Sequence, residues 1–205
     1  MAKEDQYMNP QGEEGREVLK SMNEHHRDLT IWGLSNIPPM HATRILDIGC
    51  GGGNTIKMLS VKYPNATIDG IDISEEAVKA TLETNSVFHK WGKVNASVAS
   101  AAEIPFPENT FDIITAVETY FFWPDIEKTL SHVVSHLKKG GVLCVVSEQY
   151  FTDSNRSDLE AACAKYHMNI IENDVLKGYL EQCGLKTQMS VVEEKNWVVF
   201  IGIKE

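Results

Sequence analysis

The sequence predicts a three-layer α/β sandwich, a mostly parallel sheet with helices on both faces, and three observations carry that prediction. Short apolar runs alternate with helix-period segments from residue 44 onward. A glycine cluster sits where the first run passes into the first following helix. The last two runs are adjacent, as in an antiparallel hairpin, and the runs total seven strands. With 205 residues, 42% of them apolar and 23% charged, the chain is long enough for one domain with a full core.

Residues 1–15 mix Gly12, Gly15, Pro10 and acids without period and read as a flexible leader. From Arg16 to Ile37, Val18, Met22, His25, Leu29 and Trp32 make one helical stripe, ended by Pro38-Pro39. Residues 16–205 then read as a single domain with this helix as an N-terminal element. Arg44 to Ile48 is a strand, and Asn54 to Tyr63 a helix closed by Pro64. Ala66 to Ile73 is a strand, after which Ser74 caps a helix with Glu75 and Glu76 in its first turn, running toward Phe88. Lys93 to Val98 and Phe111 to Val117 are strands. Pro124 and Asp125 open a helix through Leu137, with Lys138 and Lys139 complementing its dipole and Gly140-Gly141 stopping it. Val142 to Ser147 reads as a strand buried on both faces. Helices follow at 157–168 and 172–183, then strands at 185–191 and 196–204 about a turn at Glu193-Glu194-Lys195.

Composition narrows the function. The formal net charge is −10, and no basic cluster exceeds the Lys138-Lys139 pair, so neither nucleic acid nor an anionic membrane surface is an expected partner. Cys50, Cys144, Cys163 and Cys183 are scattered without CxxC or paired Cys/His spacing, which gives no expectation of zinc, of any other metal or of a disulfide framework. The polar start shows no signal peptide and no run reaches a membrane span, so a cytoplasmic location is expected.

The segment Asp47-Ile48-Gly49-Cys50-Gly51-Gly52-Gly53 lies at the strand-to-helix turn, where open α/β sheets bind ligands. It is D-x-G-x-G-x-G. A dinucleotide fingerprint would need glycine at Asn54, and the Asp47 carboxylate would repel a pyrophosphate while suiting an ammonium or sulfonium group. Asp72, about 20 residues on, is placed for both hydroxyls of a ribose. A nucleoside without phosphates and with a cationic amino-acid arm fits, and S-adenosylmethionine is such a molecule.

Leu46 to Thr55, Asp72 and the stretch Ala102 to Asp112 (AEIPFPENTFD) together resemble the class I S-adenosylmethionine-dependent methyltransferases, in particular the type 11, ubiquinone-biosynthesis-like branch. The resemblance implies a Rossmann-like sheet and transfer of the methyl group by in-line displacement, leaving S-adenosylhomocysteine. It further implies that Asp47 orders the loop near the cofactor's amino group and that Gly49, Cys50, Gly51 and Gly53 wrap its methionine portion. Asp72 would hold the ribose, Ile73 pack on the adenine, and Ala101 and Ala102 lie beside the adenine edge. Ser100 stands where many relatives carry an aspartate that reads the adenine amino group, and serine accepts that bond more weakly.

The acceptor is expected to be a small molecule, bound by a monomer or homodimer. Tyr120-Phe121-Phe122-Trp123, after the fourth strand, is expected to wall the acceptor, with Trp123 touching it and Tyr120 a catalytic candidate. Glu118 is a candidate base or orienting group, or else a support near the cofactor's amino group. His25 is a catalytic candidate on a helix that commonly forms a lid in this family, with His26 and Trp32 beside it as acceptor contacts. Tyr150, beyond the fifth strand, is a further acceptor contact. Two other readings stay open: a non-catalytic cofactor-binding regulator, and a nucleotide-dependent oxidoreductase, which the residue at Asn54 disfavours.

Overall fold

Residues Arg44–Ile48 (β1), Thr67–Asp72 (β2), Val94–Val98 (β3), Phe111–Val117 (β4), Leu137–Ser147 (β5), Leu185–Val192 (β6) and Trp197–Lys204 (β7) form one seven-stranded sheet in the computed structural model of the protein, which describes residues 5–205. The order is β3-β2-β1-β4-β5-β7-β6, with β1 to β5 parallel. β7 runs antiparallel to both β5 and β6, so the final hairpin folds back and inserts its second strand next to β5. The expected fold class is the observed one.

Alternation along the strands divides the core. Ile45, Ile68, Ile113, Val142, Cys144 and Val146 face Leu29 and Leu34 of Arg27–Ser35 (α3) and Ile56 and Leu59 of Asn54–Lys62 (α4). For this numbering, Asp5–Met8 is α1 and Gly12–His25 is α2. Leu46, Ile48, Ile114, Ala116, Leu143 and Val145 face the opposite layer. That layer contains Ile126–Ser135 (α7), Arg156–Tyr166 (α8) and Asn173–Gln182 (α9). Glu75–Thr84 (α5) and Ser86–Lys90 (α6) lie by β2 and β3. Burial of each such Leu or Ile contributes roughly 1.5–3 kcal/mol, which is why two apolar faces suffice to hold three layers together. Among the described residues, no helix is long and apolar enough to cross a membrane.

Two expectations change at the N-terminus. Residues 1–4 of the expected leader lie outside the described residues, but residues 5–15 are folded onto the domain. Gln6 is buried, its side-chain oxygen accepting the Gln11 N–H at 2.7 Å, and the Ser74 hydroxyl donates to the Pro10 carbonyl. Gly15, which reads as a breaker, is a close-contact point: a Cβ there would lie 2.7 Å from the Pro10 carbonyl carbon. The single helix expected over 16–37 is two, α2 and α3, separated at His26 (φ −83°, ψ 4°). The second docks tightly on the sheet because Gly33 has no side chain; a Cβ there would meet Val146 Cγ2 at 2.5 Å.

Lys138 does not serve the end of α7. It lies in β5 and reaches Asp112 Oδ1 at 2.7 Å, while Asp112 Oδ2 accepts from the Thr43 N–H and hydroxyl and from the Arg44 N–H at 2.8–2.9 Å. Asp112 thus staples β1, β4 and β5 at the amino end of the parallel strands, opposite the glycine loop. Burial opposes its ionisation, but these donors outweigh burial and hold its pKa down at about 2. An acid with a depressed folded-state pKa stabilises the protein above its unfolded pKa and loses that contribution as pH falls toward the folded value. Asp112→Ala is therefore expected to cost about 1–3 kcal/mol of unfolding free energy at neutral pH and progressively less from about pH 4 down to 2, as urea titrations across that range would measure.

Candidate functional site

Strand order reverses between β1 and β4, and the carboxyl ends of β1, β2, β4 and β5 open onto one crevice. The loop after β1 is anchored by backbone bonds: the Gly49 and Cys50 N–H groups both donate to the Ile71 carbonyl, at 2.8 and 3.1 Å. Gly49 has φ +71°, and a Cβ there would lie 2.3 Å from Thr119 Oγ1, so only glycine fits this turn. From α5, the Thr81 hydroxyl donates to the Gly51 carbonyl and the Asn85 amide to the Gly53 carbonyl, both at 2.9 Å. Asp72 closes the ring, its Oδ2 accepting the Gly51 N–H at 3.0 Å and its Oδ1 the Ser74 N–H at 2.9 Å.

These elements line a cleft of about 230 Å³. Gly49, Cys50, Asp72, Ile73, Ser100 and Ala101 all face it, together with Leu19, Met22, Asn23 and His26 of the α2 end. Ile73 is 45% exposed there and presents an apolar side chain next to Asp72. Burial raises the Asp72 pKa, the N–H bonds from Ser74, Gly51 and Ile73 offsetting only part of it. Four expected contacts differ. Gly51 and Gly53 do not line the cleft; a Cβ at Gly53 would meet Asn85 Nδ2 at 2.7 Å and Thr81 Cα at 2.8 Å, on the α5 side of the loop. Ala102 does not line the cleft; its N–H donates to Ser100 Oγ at 3.2 Å. Asp47 lies beneath the loop, where Oδ1 accepts from the Thr115 hydroxyl at 2.6 Å and the buried Oδ2 has no partner.

Burial, abetted by the Asp72 charge and only partly offset by Thr115, pushes the Asp47 pKa up to about 7. Its folded-state pKa lies above the unfolded one, so ionisation destabilises the fold increasingly as pH rises from about 4 to 7 and by a constant amount beyond. Asp47→Asn keeps the acceptor for Thr115 and removes that charge. It is expected to stabilise the protein by on the order of 2 kcal/mol at about pH 8 and to leave stability unchanged near pH 4, measured by urea denaturation.

A second space of about 430 Å³ adjoins the cleft, and Tyr7, Met22, His26, Glu118 and Phe122 line both. Phe121, Met168, Tyr166, His25 and Glu148 complete much of its wall. Glu118 sits at the end of β4 with φ +54°, a left-handed conformation unfavourable for a residue with a side chain. Its Oε1 accepts the Glu148 N–H, and burial, with the nearby Glu148 charge, pushes its pKa up to about 7 against the pull of His26. Burial opposes charge on His26, but the Glu148 hydrogen bond and the two carboxylates outweigh it and raise its pKa. Burial likewise opposes the Glu148 charge, and its bonds to His26 and His25 outweigh that and lower its pKa.

Four expected acceptor-side residues lie elsewhere. Tyr120 is 1% exposed in the core, its hydroxyl against the Ile171 backbone N–H, because the turn after β4 folds it toward α9. Trp123 lines the cleft and not the second space, with its buried Nε1 lacking a partner. Trp32 packs on Trp197, ring centroids 5.7 Å apart, because α3 turns onto the sheet after the break at His26. Tyr150 is buried in the core near Asn155, which donates to its carbonyl at 3.0 Å. Sequence reading missed Tyr7, hidden in the presumed leader, and Asn23, whose carbonyl accepts from the Asn54 amide at 3.3 Å. It also missed Glu148, although its place just after β5, at a strand's carboxyl end, was a usable signal.

The family model described as "Methyltransferase domain" matches residues 45–141. An O-methyltransferase of Pyrenophora dematioidea is 25% identical over 162 residues, covering 77% of this chain and 60% of that protein. A 2-methyl-6-phytyl-1,4-hydroquinone methyltransferase of Synechocystis is 28% identical over 170 residues, covering 82% and 48%. The chain thus spans less than two thirds of the length of the curated relatives it matches. Among solved structures, phosphoethanolamine N-methyltransferase 2 of Haemonchus contortus, in complex with S-adenosyl-L-methionine, superposes with a TM-score of 0.71. It is 16% identical, covering 86% of this chain and 52% of that one.

Proposed function

We propose that this chain, which matches the methyltransferase-domain family over residues 45–141, transfers a methyl group from S-adenosylmethionine to a small-molecule acceptor held in the 430 Å³ space beside the cleft. The observation that carries this reading is the shared wall. His26, Glu118 and Phe122 border both spaces, so a group seated at the loop end of the cleft meets a molecule in the second space without leaving the crevice.

The cleft suits the cofactor on its own chemistry. Asp72 offers a carboxylate to the ribose hydroxyls, the exposed Ile73 offers an apolar face to the adenine, and an ammonium above the loop would draw the unpartnered Asp47 carboxyl beneath it into its charged form. Where glycine turns Gly49 tightly against Thr119, the backbone presents no side chain to the ligand. When bound, the cofactor supplies a methyl group already activated on a sulfonium. The chain's own contribution is then alignment: α2 covers the crevice, Phe121 and Phe122 limit the acceptor's movement, and Glu118 orients a hydroxyl or amine toward the cleft. The dimensions of the second space and the net charge of −10 both favour a compact acceptor over nucleic acid.

Calorimetry with S-adenosylhomocysteine and with NADH, paired with incubation of labelled S-adenosylmethionine and fractionated cell extract, tests this. Heat with S-adenosylhomocysteine alone and label in low-mass products are expected. Label confined to macromolecules would overturn the acceptor class, and binding without any transfer would favour a regulator.

A further inference from the structure

We propose that His25, His26 and Glu148 form a binding site for a divalent transition-metal ion such as Zn²⁺, which coordinates the hydroxyl oxygen of the methyl acceptor. Sequence spacing gave no hint of it, because Glu148 follows His25 by 123 positions and neither residue belongs to a ligand motif. The fold brings them together: His25 and His26 end α2, and Glu148 follows β5 at the carboxyl end of the sheet. Glu148 Oε1 lies 2.9 Å from His25 Nε2 and 3.5 Å from His26 Nε2, and one donor atom from each residue lies within 4.8 Å of the other two. A tetrahedral ion with bonds of about 2.0–2.1 Å holds its ligand atoms roughly 3.3 Å apart, so small side-chain rotations complete the site.

The donor set is informative. Two imidazoles and one carboxylate are what catalytic zinc sites use, leaving a coordination position open. A hydrogen-bonded His–Glu pair would account for one imidazole; here two converge on the same carboxylate oxygen. Glu148 is held in place by its own N–H, which donates to Glu118, the kind of outer support that fixes a ligand's direction. All three ligands line the second space, so the open position faces the acceptor.

This deepens the methyltransferase reading and rests on it, naming the acceptor class as a hydroxyl compound with an apolar body, matched to Phe121, Phe122, Met22 and Met168. Coordination lowers the hydroxyl's pKa and its proton passes to water. An oxygen electron pair then forms the new C–O bond to the methyl carbon, and the C–S pair stays on sulfur. The products are a methyl ether and a neutral thioether.

The test is titration of the full chain with Co²⁺, followed by its visible d–d absorption, alongside calorimetry with S-adenosylhomocysteine on the same samples. One Co²⁺ per chain is expected, displaced by Zn²⁺. Glu148→Gln and His26→Ala should each weaken it by more than about tenfold, the smallest cost of losing even an outer-shell partner, with thermal unfolding confirming that both variants fold. His41→Ala, an exposed histidine remote from the crevice, should bind Co²⁺ normally. No d–d band, or equal binding by Glu148→Gln, overturns the metal site, and retained binding of S-adenosylhomocysteine then leaves the methyltransferase reading standing. Co²⁺ bound by the three residues without any binding of S-adenosylhomocysteine instead supports the metal site and sinks the reading of its purpose.

Discussion

Asp72→Ala is expected to weaken S-adenosylhomocysteine binding by about a hundredfold or more while the protein remains folded. The carboxylate has two tasks. It accepts the Gly51 and Ser74 N–H groups at 3.0 and 2.9 Å, which fixes the glycine loop against the end of β2, and it faces the cleft where a ribose would lie. A hydrogen bond to a charged group contributes roughly 1.5–3 kcal/mol, and a pair of ribose hydroxyls makes two, so the loss exceeds the 2.7 kcal/mol that corresponds to a hundredfold. Asp72→Asn keeps the shape and one acceptor oxygen, and an intermediate loss is expected. Isothermal calorimetry checks both, with the unfolding midpoint of each variant as the control for folding. A change smaller than about threefold in Asp72→Ala would place the ribose elsewhere.

Gly49→Ala is expected to lower the unfolding midpoint by about 5–15 °C and to abolish detectable cofactor binding. Two effects add. At φ +71° a side chain costs about 1–2 kcal/mol, and the new Cβ would lie 2.3 Å from Thr119 Oγ1 and 2.8 Å from Thr119 Cβ. Thr119 is β-branched and follows Glu118 at the end of β4, so it cannot turn away without moving that turn. Adding Thr119→Ala removes the Oγ1 contact and should recover part of the midpoint, leaving the backbone cost. Differential scanning calorimetry of the two single variants and the double variant separates the terms. Full additivity would show that the two side chains do not meet.

The seven strands, their parallel run and the final hairpin were legible in the sequence, because strands buried on both faces are continuous apolar runs and their boundaries carry Gly, Pro or capping residues. The cleft was legible for the same reason: Gly49 and Asp72 lie at strand ends, and strand ends are where this architecture binds ligands. Helix breaks were not. Nothing local marks His26 or Asn85 as a break, and Asn85 is spent on the loop carbonyl of Gly53 and on that of Thr81. The acceptor side was the least legible. Tyr120 to Trp123 read as one aromatic wall, yet the turn after β4 sends Tyr120 to the core, Trp123 to the cleft, Phe121 to the second space and Phe122 to the wall between the two.

What the sequence determined by itself is whatever depends on period and on neighbours along the chain: the layers, the strand count, the glycine turn and the acid one strand later. What only the tertiary structure decided is which distant side chains meet. His25 faces Glu148 from 123 positions away with His26 beside it, residues 5–15 pack onto the domain, and Asp112 serves as a staple at the end opposite the cleft. These depend on the direction in which each element leaves the sheet. That direction is set by close packing, as where Gly33 lets α3 settle on Val146, and not by any local pattern of residues.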